Sequence, residues 1–215
     1  MMQDANAKLL IADEELRPIV DEYQGEVILT RELADLPAVT KLPDGPKPSS
    51  LFIMLYTSGS TGVPKGCQLT HGNLVCFCHW YQRFYALKPG HNVAAYASYG
   101  FDACMMDMYP ALTCGATVHI VPEELRLDLI ALNDYFEANH ITHSFMTTQV
   151  GYQFATSIEN RSLIHLSTGG EKLASLTPPQ GFSFYNVYGP TECTIFTTTY
   201  LVNQKMKEIP IGKPL

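Results

Sequence analysis

An apolar run that ends in a loop of glycine and hydroxyl residues constrains this chain more than any other feature. Residues 51–56 read L-F-I-M-L-Y, and residues 57–66 follow as T-S-G-S-T-G-V-P-K-G. A short apolar run that ends in a cluster of small residues indicates a buried strand leading into a loop. The glycines let the backbone approach a ligand closely, and the hydroxyl and N–H donors, with the Lys65 ammonium, suit phosphate oxygens. The segment therefore predicts a phosphate-binding loop.

The spacing of this loop excludes a Walker A motif. That motif requires Gly, four residues and then Gly-Lys-Ser/Thr, but the fifth residue after Gly59 is Pro64, which lacks an N–H. Gly66, which follows Lys65, has no hydroxyl for magnesium. A flexible surface linker is the plain alternative, although linkers rarely follow a buried strand or end in Pro-Lys-Gly. The segment is thus interpreted as a phosphate loop of a different kind.

Short apolar runs alternate with amphipathic segments along the chain, and this order predicts an α/β fold with largely parallel sheets and helices on both faces. Thr70 can cap the helix that follows the phosphate loop, and residues 37–50 read as a loop. Strands are predicted at residues 8–12, 26–30, 92–97, 116–121, 142–146, 163–167 and 182–187, and helices at residues 13–20, 71–87, 102–113 and 127–139.

Three segments together resemble the adenylate-forming (AMP-binding) enzyme family, and in particular the amino acid adenylation domains of nonribosomal peptide synthetases. The phosphate loop is the first, T-G-G-E at residues 168–171 is the second, and N-V-Y-G-P-T-E at residues 186–192 is the third. The resemblance implies a portion of the family's large N-terminal domain. Residues 1–90 would form a sheet subdomain with the phosphate loop, and residues 91–215 a second α/β subdomain with the amino-acid pocket and the adenine motif. The family's small C-terminal domain is absent.

The resemblance also implies an activity and its cofactors. Members of this group use ATP and Mg²⁺ to convert an amino acid to an aminoacyl-AMP, which then loads the phosphopantetheine thioester of a partner peptidyl carrier domain. The isolated chain is expected to be inactive, because the ribose-binding aspartate, the hinge and the mobile domain with its catalytic lysine are missing. Two alternatives stay open: a portion of an acyl- or aryl-CoA ligase, and a nucleotide-binding module without turnover.

Site residues follow from the same three motifs by resemblance. The residues that would cradle the leaving phosphates are Thr57, Ser58, Gly59, Ser60, Thr61, Gly62 and Lys65. Those that would contact the nucleotide are Gly170, Glu171, Asn186, Tyr188 and Gly189, with Tyr188 stacked on adenine and Asn186 bonded to its amino edge. Thr191 would contact the α-phosphate and Glu192 would hold Mg²⁺, so Lys65, Thr191 and Glu192 form the catalytic set. The plainer interpretation makes Tyr188 a core aromatic residue and Thr191 and Glu192 the start of a helix.

Asp102 carries two hypotheses. It precedes a predicted helix and could cap it. In amino-acid-activating members of the family an aspartate at this place pairs with the α-ammonium of the substrate, and a carboxylate in an apolar pocket needs such a cation. Acyl and aryl ligases generally lack this aspartate.

Pocket positions are carried over from the motifs. They are Asp102, Ala103, Met106, Phe145, Ser167, Gly169, Val187, Ile195 and Phe196. This lining is apolar, with one hydroxyl from Ser167 and no charge to meet a charged side chain, so it predicts a medium-sized aliphatic amino acid. Residues 143–149 depart from the family's usual pattern, and the alignment of Phe145 depends on that segment.

Composition excludes several classes of partner. The formal net charge is −7 and no basic cluster is present, so no nucleic acid partner is predicted. No run of 18 apolar residues occurs, so no membrane span is predicted.

Six cysteines without a Cys-x-x-Cys pair indicate reduced thiols in a cytoplasmic protein. The pair His140 and His143 lacks a third ligand, and a metal site there is disfavoured. Self-association of the chain is expected, through apolar surface that absent segments would cover.

Overall fold

The computed structural model describes residues 1–20, 23–58 and 62–215, with the backbone alone for Arg17 and Ile19. The described residues divide into two compact units: residues 1–47 and 56–66 belong to the first, and residues 48–55 and 67–215 to the second. The sequence places residues 67–90 with the first unit, whereas in the structure they group with the second. The reason is that the helix at this place shares a hydrophobic cluster with residues 103–106.

A small parallel sheet forms the regular part of the first unit. Strand β1 (Leu9–Ala12) pairs along its length with strand β2 (Glu26–Leu29). A 3₁₀ turn (Glu14–Leu16) and helix α1 (Arg17–Val20) lie between the two strands, and a 3₁₀ helix (Thr30–Asp35) follows them. The predicted strands at residues 8–12 and 26–30 and the predicted helix at residues 13–20 are therefore confirmed. Residues 37–50 contain neither helix nor strand, as expected.

The phosphate-loop segment joins two paired strands. Strand β3 (Leu51–Thr57) is the predicted apolar strand, and it pairs with strand β4 (Lys65–Thr70), which the sequence did not predict. Helix α2 (His71–Phe84) begins directly after β4. The Thr70 hydroxyl accepts a hydrogen bond from the Asn73 N–H at 3.3 Å, and the Asn73 side chain accepts one from the Thr70 N–H at 2.9 Å. This reciprocal cap confirms the predicted helix start, since it satisfies two amide groups at that end.

A seven-stranded sheet forms the framework of the second unit, in the order β11-β10-β9-β8-β7-β5-β6. The five strands β5, β6, β7, β8 and β9 run parallel to one another. Strands β10 and β11 add antiparallel pairs at one edge of the sheet. The strand bounds are β5 Asn92–Ala95, β6 Thr117–Ile120, β7 His143–Thr147, β8 His165–Gly169, β9 Ser183–Tyr188, β10 Thr198–Leu201 and β11 Lys213–Pro214.

Helices connect the parallel strands. The elements between strands are α3 Ala103–Cys114, a 3₁₀ turn Glu123–Leu125, α4 Leu129–Ala138, α5 Thr148–Ser157 and a 3₁₀ turn Thr191–Cys193. The helix α5 was not predicted, whereas α3 and α4 match the predicted ranges to within a residue or two. Along β5, Val93 packs with α2 and α3 in one core cluster, and the next residue, Ala94, packs with α4 and α5 in another. Because successive strand residues face opposite sides, the helices cover both faces of the sheet.

Three histidines form a row where the parallel strands begin. His143 opens β7 and His165 opens β8, while His91 precedes β5. The His143 ring lies 5.0 Å from each of the other two ring centroids. His143 is fully buried, with Nε2 3.3 Å from the carbonyl oxygen of Tyr85. Burial lowers its pKa to about 3, and His165 adds to the effect. The row therefore packs as neutral rings.

The described residues contain neither a membrane-spanning helix nor a cluster of metal ligands. No helix in this part of the chain combines the length and apolarity needed to cross a bilayer. Within residues 1–20, 23–58 and 62–215, no group of three or more His, Cys, Asp or Glu side chains is placed to hold a metal ion.

Candidate active site at the carboxyl edge of the sheet

A cavity of about 380 Å³ opens in the second unit where the parallel strands end. Phe145 and Thr147 of β7, Gly169 of β8 and Val187 of β9 each lie within two residues of the end of their strand. The full lining is Tyr96, Ala97, Ser98, Phe101, Asp102, Ala103, Met106, Arg126, Phe145, Thr147, Gly169, Gly170, Val187, Gly189, Ile195 and Phe196. Ligands of open α/β sheets bind at this edge, so the cavity is the candidate substrate site.

The structure brings eight of the nine predicted pocket positions to this cavity, and Ser167 is the exception. Ser167 is 2% exposed, and its hydroxyl donates to the Tyr85 hydroxyl at 3.2 Å. Gly169, two residues further along β8, lines the cavity instead. The one hydroxyl expected from Ser167 is therefore not part of the lining.

Close packing of backbone shapes one side of the cavity. A Cβ on Gly189 would collide with the backbone of Phe196, and a Cβ on Gly169 would collide with the carbonyl oxygen of Val187. Thr194 and Ile195 adopt positive φ values of 67° and 72°, which β-branched residues rarely do. The segment after β9 is thus held in a strained turn against the strand end, and the side chains of Ile195 and Phe196 close the wall.

Asp102 is the acidic group of the cavity. Burial raises the pKa of its carboxyl, and the Glu192 charge adds to the rise; hydrogen bonds from Thr191 and from the Ala103 N–H oppose both. Apart from this contact with the first amide of α3, Asp102 makes no side-chain cap bond to the helix. It forms no ion pair within the described part of the chain. A half-buried carboxylate without a cation is costly, which favours a cationic ligand here.

Thr191 and Glu192 lie beside Asp102, in the 3₁₀ turn after β9. Burial raises the pKa of the Cys67 thiol on β4, and the charges of Glu192 and Asp102 raise it further. Cys67 is therefore close to both carboxylates. The Glu192 side chain is exposed. Thr191 and Glu192 do begin a short helical turn, as the plainer interpretation expects. The same turn also places a hydroxyl and a second carboxylate near Asp102.

The remaining motif residues of the second unit occupy the same edge of the sheet. Asn186 is 4% exposed, and its amide nitrogen donates to the carbonyl oxygen of Pro210 at 2.9 Å, which leaves its own oxygen as the atom that can accept. Tyr188 ends β9 with 52% of its surface exposed, so it is not a core aromatic residue. Gly170 is exposed with a φ of 110°. The Glu171 N–H donates to the Thr148 hydroxyl at 3.1 Å.

The phosphate-loop residues belong to the first unit. Thr57 ends β3, Lys65 begins β4 and is exposed, and Ser58 is exposed between the strands. Gly62 has a φ of 78°, a left-handed conformation that glycine adopts without strain. The predicted residues Gly59, Ser60 and Thr61 lie outside the described residues.

Two charged residues near the cavity were not predicted. Arg126 lines it, so the expectation that the lining lacks a positive charge was wrong. Its guanidinium is engaged: it pairs with Glu123 at 2.8 Å and lies over the Tyr96 ring. Asp107 on α3 is 2% exposed, and burial raises its pKa to about 8, against hydrogen bonds from Ala97 and Tyr96. No motif marks either residue, because the cavity-wall backbone that both contact, at Tyr96 and Ala97, lies ten or more positions away.

Comparison with known proteins gives consistent matches. A family model described as AMP-binding enzyme matches residues 1–215. Surfactin synthase subunit 1 of Bacillus subtilis (strain 168) is 37% identical over 222 residues, which cover all of this chain but 6% of that protein. The L-proline--[L-prolyl-carrier protein] ligase of Streptomyces coelicolor is 35% identical over 193 residues, covering 82% of this chain and 36% of that protein.

Solved structures share the fold. The nonribosomal peptide synthetase FmoA3, in a form with α-methyl-L-serine-AMP bound, aligns with a TM-score of 0.85 at 21% identity and covers 99% of this chain and 26% of that one. A form of the same protein with AMPPNP bound aligns with a TM-score of 0.83 at 22% identity, over 100% of this chain and 24% of that one. At these identities the likeness shows the architecture alone.

Proposed function

The chain belongs to the AMP-binding enzyme family, and on that premise we propose that the protein containing it activates an amino acid as its aminoacyl-AMP, with ATP as the second substrate. The observation that carries the proposal is Asp102, a half-buried carboxylate without a cationic partner among the described residues, on the wall of a largely apolar cavity. An acid without an α-amino group would leave this carboxylate unpaired. An α-ammonium would satisfy it.

The side chain of the substrate is proposed to be aliphatic and of medium size. Ala103, Met106, Phe145, Ile195 and Phe196 give the cavity apolar walls. Because Arg126 is already paired with Glu123 and stacked on Tyr96, its charge is not free to select an acidic side chain. Apolar walls favour a substrate by the area it buries, about 25 cal/mol for each Å².

The nucleotide is proposed to lie along the motif residues of the second unit. The free oxygen of Asn186 accepts from the adenine amino group, and the exposed Tyr188 ring stacks on the base. The adenylate lies beside Gly170, Glu171 and Gly189. The Thr191 hydroxyl donates a hydrogen bond to the α-phosphate. Thr57, Ser58, Gly62 and Lys65, with Gly59, Ser60 and Thr61, take the leaving phosphates through N–H, hydroxyl and ammonium donors.

The reaction needs charge neutralisation rather than a base. The substrate carboxylate is already ionised near pH 7, so it attacks the α-phosphorus directly; a carboxylate–phosphorus bond forms as the bond to pyrophosphate breaks. The cost is the approach of an anion to a polyanion. Donors placed where charge develops lower that cost, which is the role proposed for Lys65 and Thr191.

A magnesium ion fits the donor set near Thr191. Glu192 offers an exposed carboxylate that is free of ion pairs within the described ranges, and carboxylate oxygens suit this hard cation. When bound there, Mg²⁺ would neutralise phosphate charge. The chain's own contribution is to hold the Glu192 oxygens beside the Thr191 hydroxyl.

The product is proposed to pass to the phosphopantetheine thiol of a peptidyl carrier domain, in the cytoplasm, as part of peptide assembly. The identity to surfactin synthase supports this, and so does the carrier-protein ligase named above. Both matches cover a minor part of the relative, and we expect the 215-residue chain alone to be inactive.

Pyrophosphate exchange tests the activity. The complete protein is assayed for amino-acid-dependent exchange of labelled pyrophosphate into ATP with the twenty common amino acids. Exchange with valine, isoleucine or leucine is expected. Exchange driven by none of the twenty would refute amino acid activation, and exchange driven by charged amino acids alone would refute the aliphatic assignment.

A substitution at Asp102 separates amino acid activation from the acyl-ligase alternative. Asp102→Ala leaves the substrate ammonium unpaired in an apolar site, at a cost of about 2–5 kcal/mol, so kcat/KM for the amino acid should fall by orders of magnitude. The des-amino analogue, a branched short-chain acid, should lose far less. Equal losses for both substrates would remove the ammonium-binding role and reopen the acyl-ligase hypothesis.

A further inference from the structure

Two side chains from different elements hold one peptide of the cavity wall. The Asp107 Oδ2 atom accepts hydrogen bonds from the Tyr96 N–H at 3.0 Å and the Ala97 N–H at 2.8 Å. The Arg126 guanidinium donates to the Tyr96 carbonyl oxygen at 2.5 Å, and its central carbon lies 5.1 Å from the centre of the Tyr96 ring. In return, the Tyr96 hydroxyl donates to the Arg126 carbonyl oxygen at 2.8 Å. The N–H and the carbonyl group of the Tyr96–Ala97 peptide are thus each held by a side chain from another element.

The position of Asp107 gives these bonds a particular consequence. Tyr96, Ala97 and Ser98 form the wall that follows β5, and Met106 belongs to the wall formed by α3. Asp107 is the next residue after Met106, yet its side chain reaches the backbone of the β5 wall. One short side chain therefore ties the two walls together and sets the distance between them.

We infer that Asp107 is a positioning residue that fixes the width of the amino-acid cavity, with Arg126 holding the same peptide from its carbonyl side. Neither residue needs to touch the substrate side chain for this. The inference rests on the proposed function for the identity of the ligand. Size selection then depends in part on a buried carboxyl group that does not itself line the cavity.

The length of the side chain at position 107 is the variable to change. Asp107→Glu adds one methylene, about 1.5 Å of reach, and pushes the β5 wall away from α3. A wider cavity favours the larger substrate. Because one methylene in an apolar pocket discriminates by about 10–200-fold, the ratio of kcat/KM for leucine over valine should rise by about fivefold or more.

Removal of the carboxyl distinguishes positioning from general stability. Asp107→Ala should raise KM for the amino acid by about tenfold or more, as a misplaced wall costs productive geometry, while KM for ATP stays within about twofold. Asp107→Asn keeps an oxygen that accepts from both amides and should restore most of the loss.

Asn160→Ala is the matched control. Asn160 is also buried, at 4% exposure, and its side-chain oxygen accepts from the N–H groups of Ser162 and Leu163 at 3.0 and 2.7 Å. It does not line the cavity. This variant should lose stability without any change in the leucine-to-valine ratio or in KM for the amino acid.

The experiment combines pyrophosphate exchange by the complete protein with hydrogen exchange of its backbone amides. If the wild type shows no amino-acid-dependent exchange, the proposed function fails. If the wild type is active but Asp107→Glu keeps the selectivity ratio and Asp107→Ala keeps KM, the inference alone is overturned. Hydrogen exchange decides the attachment of the wall in either case: in Asp107→Ala the Tyr96 and Ala97 amides should exchange about tenfold faster than in Asn160→Ala. Unchanged protection of these two amides would also overturn the inference.

Discussion

Protonation of the buried His143 ring should destabilise the second unit in mild acid. The folded-state pKa is lowered from the ordinary 6.5 to about 3, mainly by burial. A base whose pKa is lower in the folded state contributes stability that is present above pH 6.5 and is lost as the pH falls towards 3. At about 1.4 kcal/mol for each pH unit, the loss is about 2 kcal/mol at pH 5 and approaches about 5 kcal/mol at pH 3.

The difference between wild type and His143→Gln isolates this contribution. Other groups also titrate: burial raises the pKa of Asp107 to about 8, so its contribution has the opposite sign and stability falls as the pH rises towards 8. At pH 7 the variant should be less stable by about 1–2 kcal/mol, because glutamine packs less well and the bond to Tyr85 changes. Below about pH 5.5 the order should reverse, since the variant has no ring to protonate.

Urea unfolding at pH 7, 6 and 5 measures the effect. Trp80 is the single tryptophan, and its ring packs against Phe84 and Phe196, so its fluorescence reports on the second unit. His79→Gln, at an exposed position of α2, is the control and should keep the wild-type pH dependence. If His143→Gln loses as much stability as the wild type between pH 7 and pH 5, the assignment of acid sensitivity to the buried ring is wrong.

Three further outcomes are expected. In the complete protein, Lys65→Ala should slow amino-acid-dependent pyrophosphate exchange by about 10²–10³ with little change in amino acid affinity. The control Lys41→Ala, at an exposed position, should change neither the exchange rate nor the affinity. If Lys65→Ala left the exchange rate unaltered, Lys65 would not belong to the phosphate site. Gly189→Ala should cost about 1–3 kcal/mol in urea unfolding because its Cβ meets the Phe196 backbone, while Gly45→Ala, with open space around the added atom, should cost far less. Light scattering should show self-association of the chain, reduced by Ile130→Glu at a side chain that is 71% exposed; a monomer at high concentration would contradict this.

Local signals in the sequence were sufficient for most of the framework. The apolar runs predicted the strands from β5 to β9, and Thr70 marked the start of α2. Helix α5 was missed because β7 ends at Thr147 and the helix begins at Thr148, so no glycine or proline separates them. Strand β10 was missed because it is a short strand near the sheet edge, with the polar start Thr198-Thr199.

The candidate site could be predicted only where a motif carried it. Asp102, Thr191 and Glu192 lie in recognisable segments, and the structure brings them together. Asp107 and Arg126 act on Tyr96 from 11 and 30 positions away, and no spacing rule joins such residues. Ser167 was misplaced because it lies two residues deeper along β8 than Gly169, on the same face, where the Tyr85 hydroxyl takes its hydrogen bond.

The placement of the cavity beyond the strand ends leaves most of its lining outside the strand pairings that build the sheet. Side chains such as Ala103, Met106 and Phe196 take part in no strand pairing, although all three also belong to the core cluster that α2 and α3 share. The histidine row and its packing lie where the same strands begin. A substitution at one of these cavity positions can therefore change what the cavity accepts without changing a strand pairing, at a cost in core packing. The backbone anchor at Asp107 limits that freedom, since it constrains every side chain that shares the two walls.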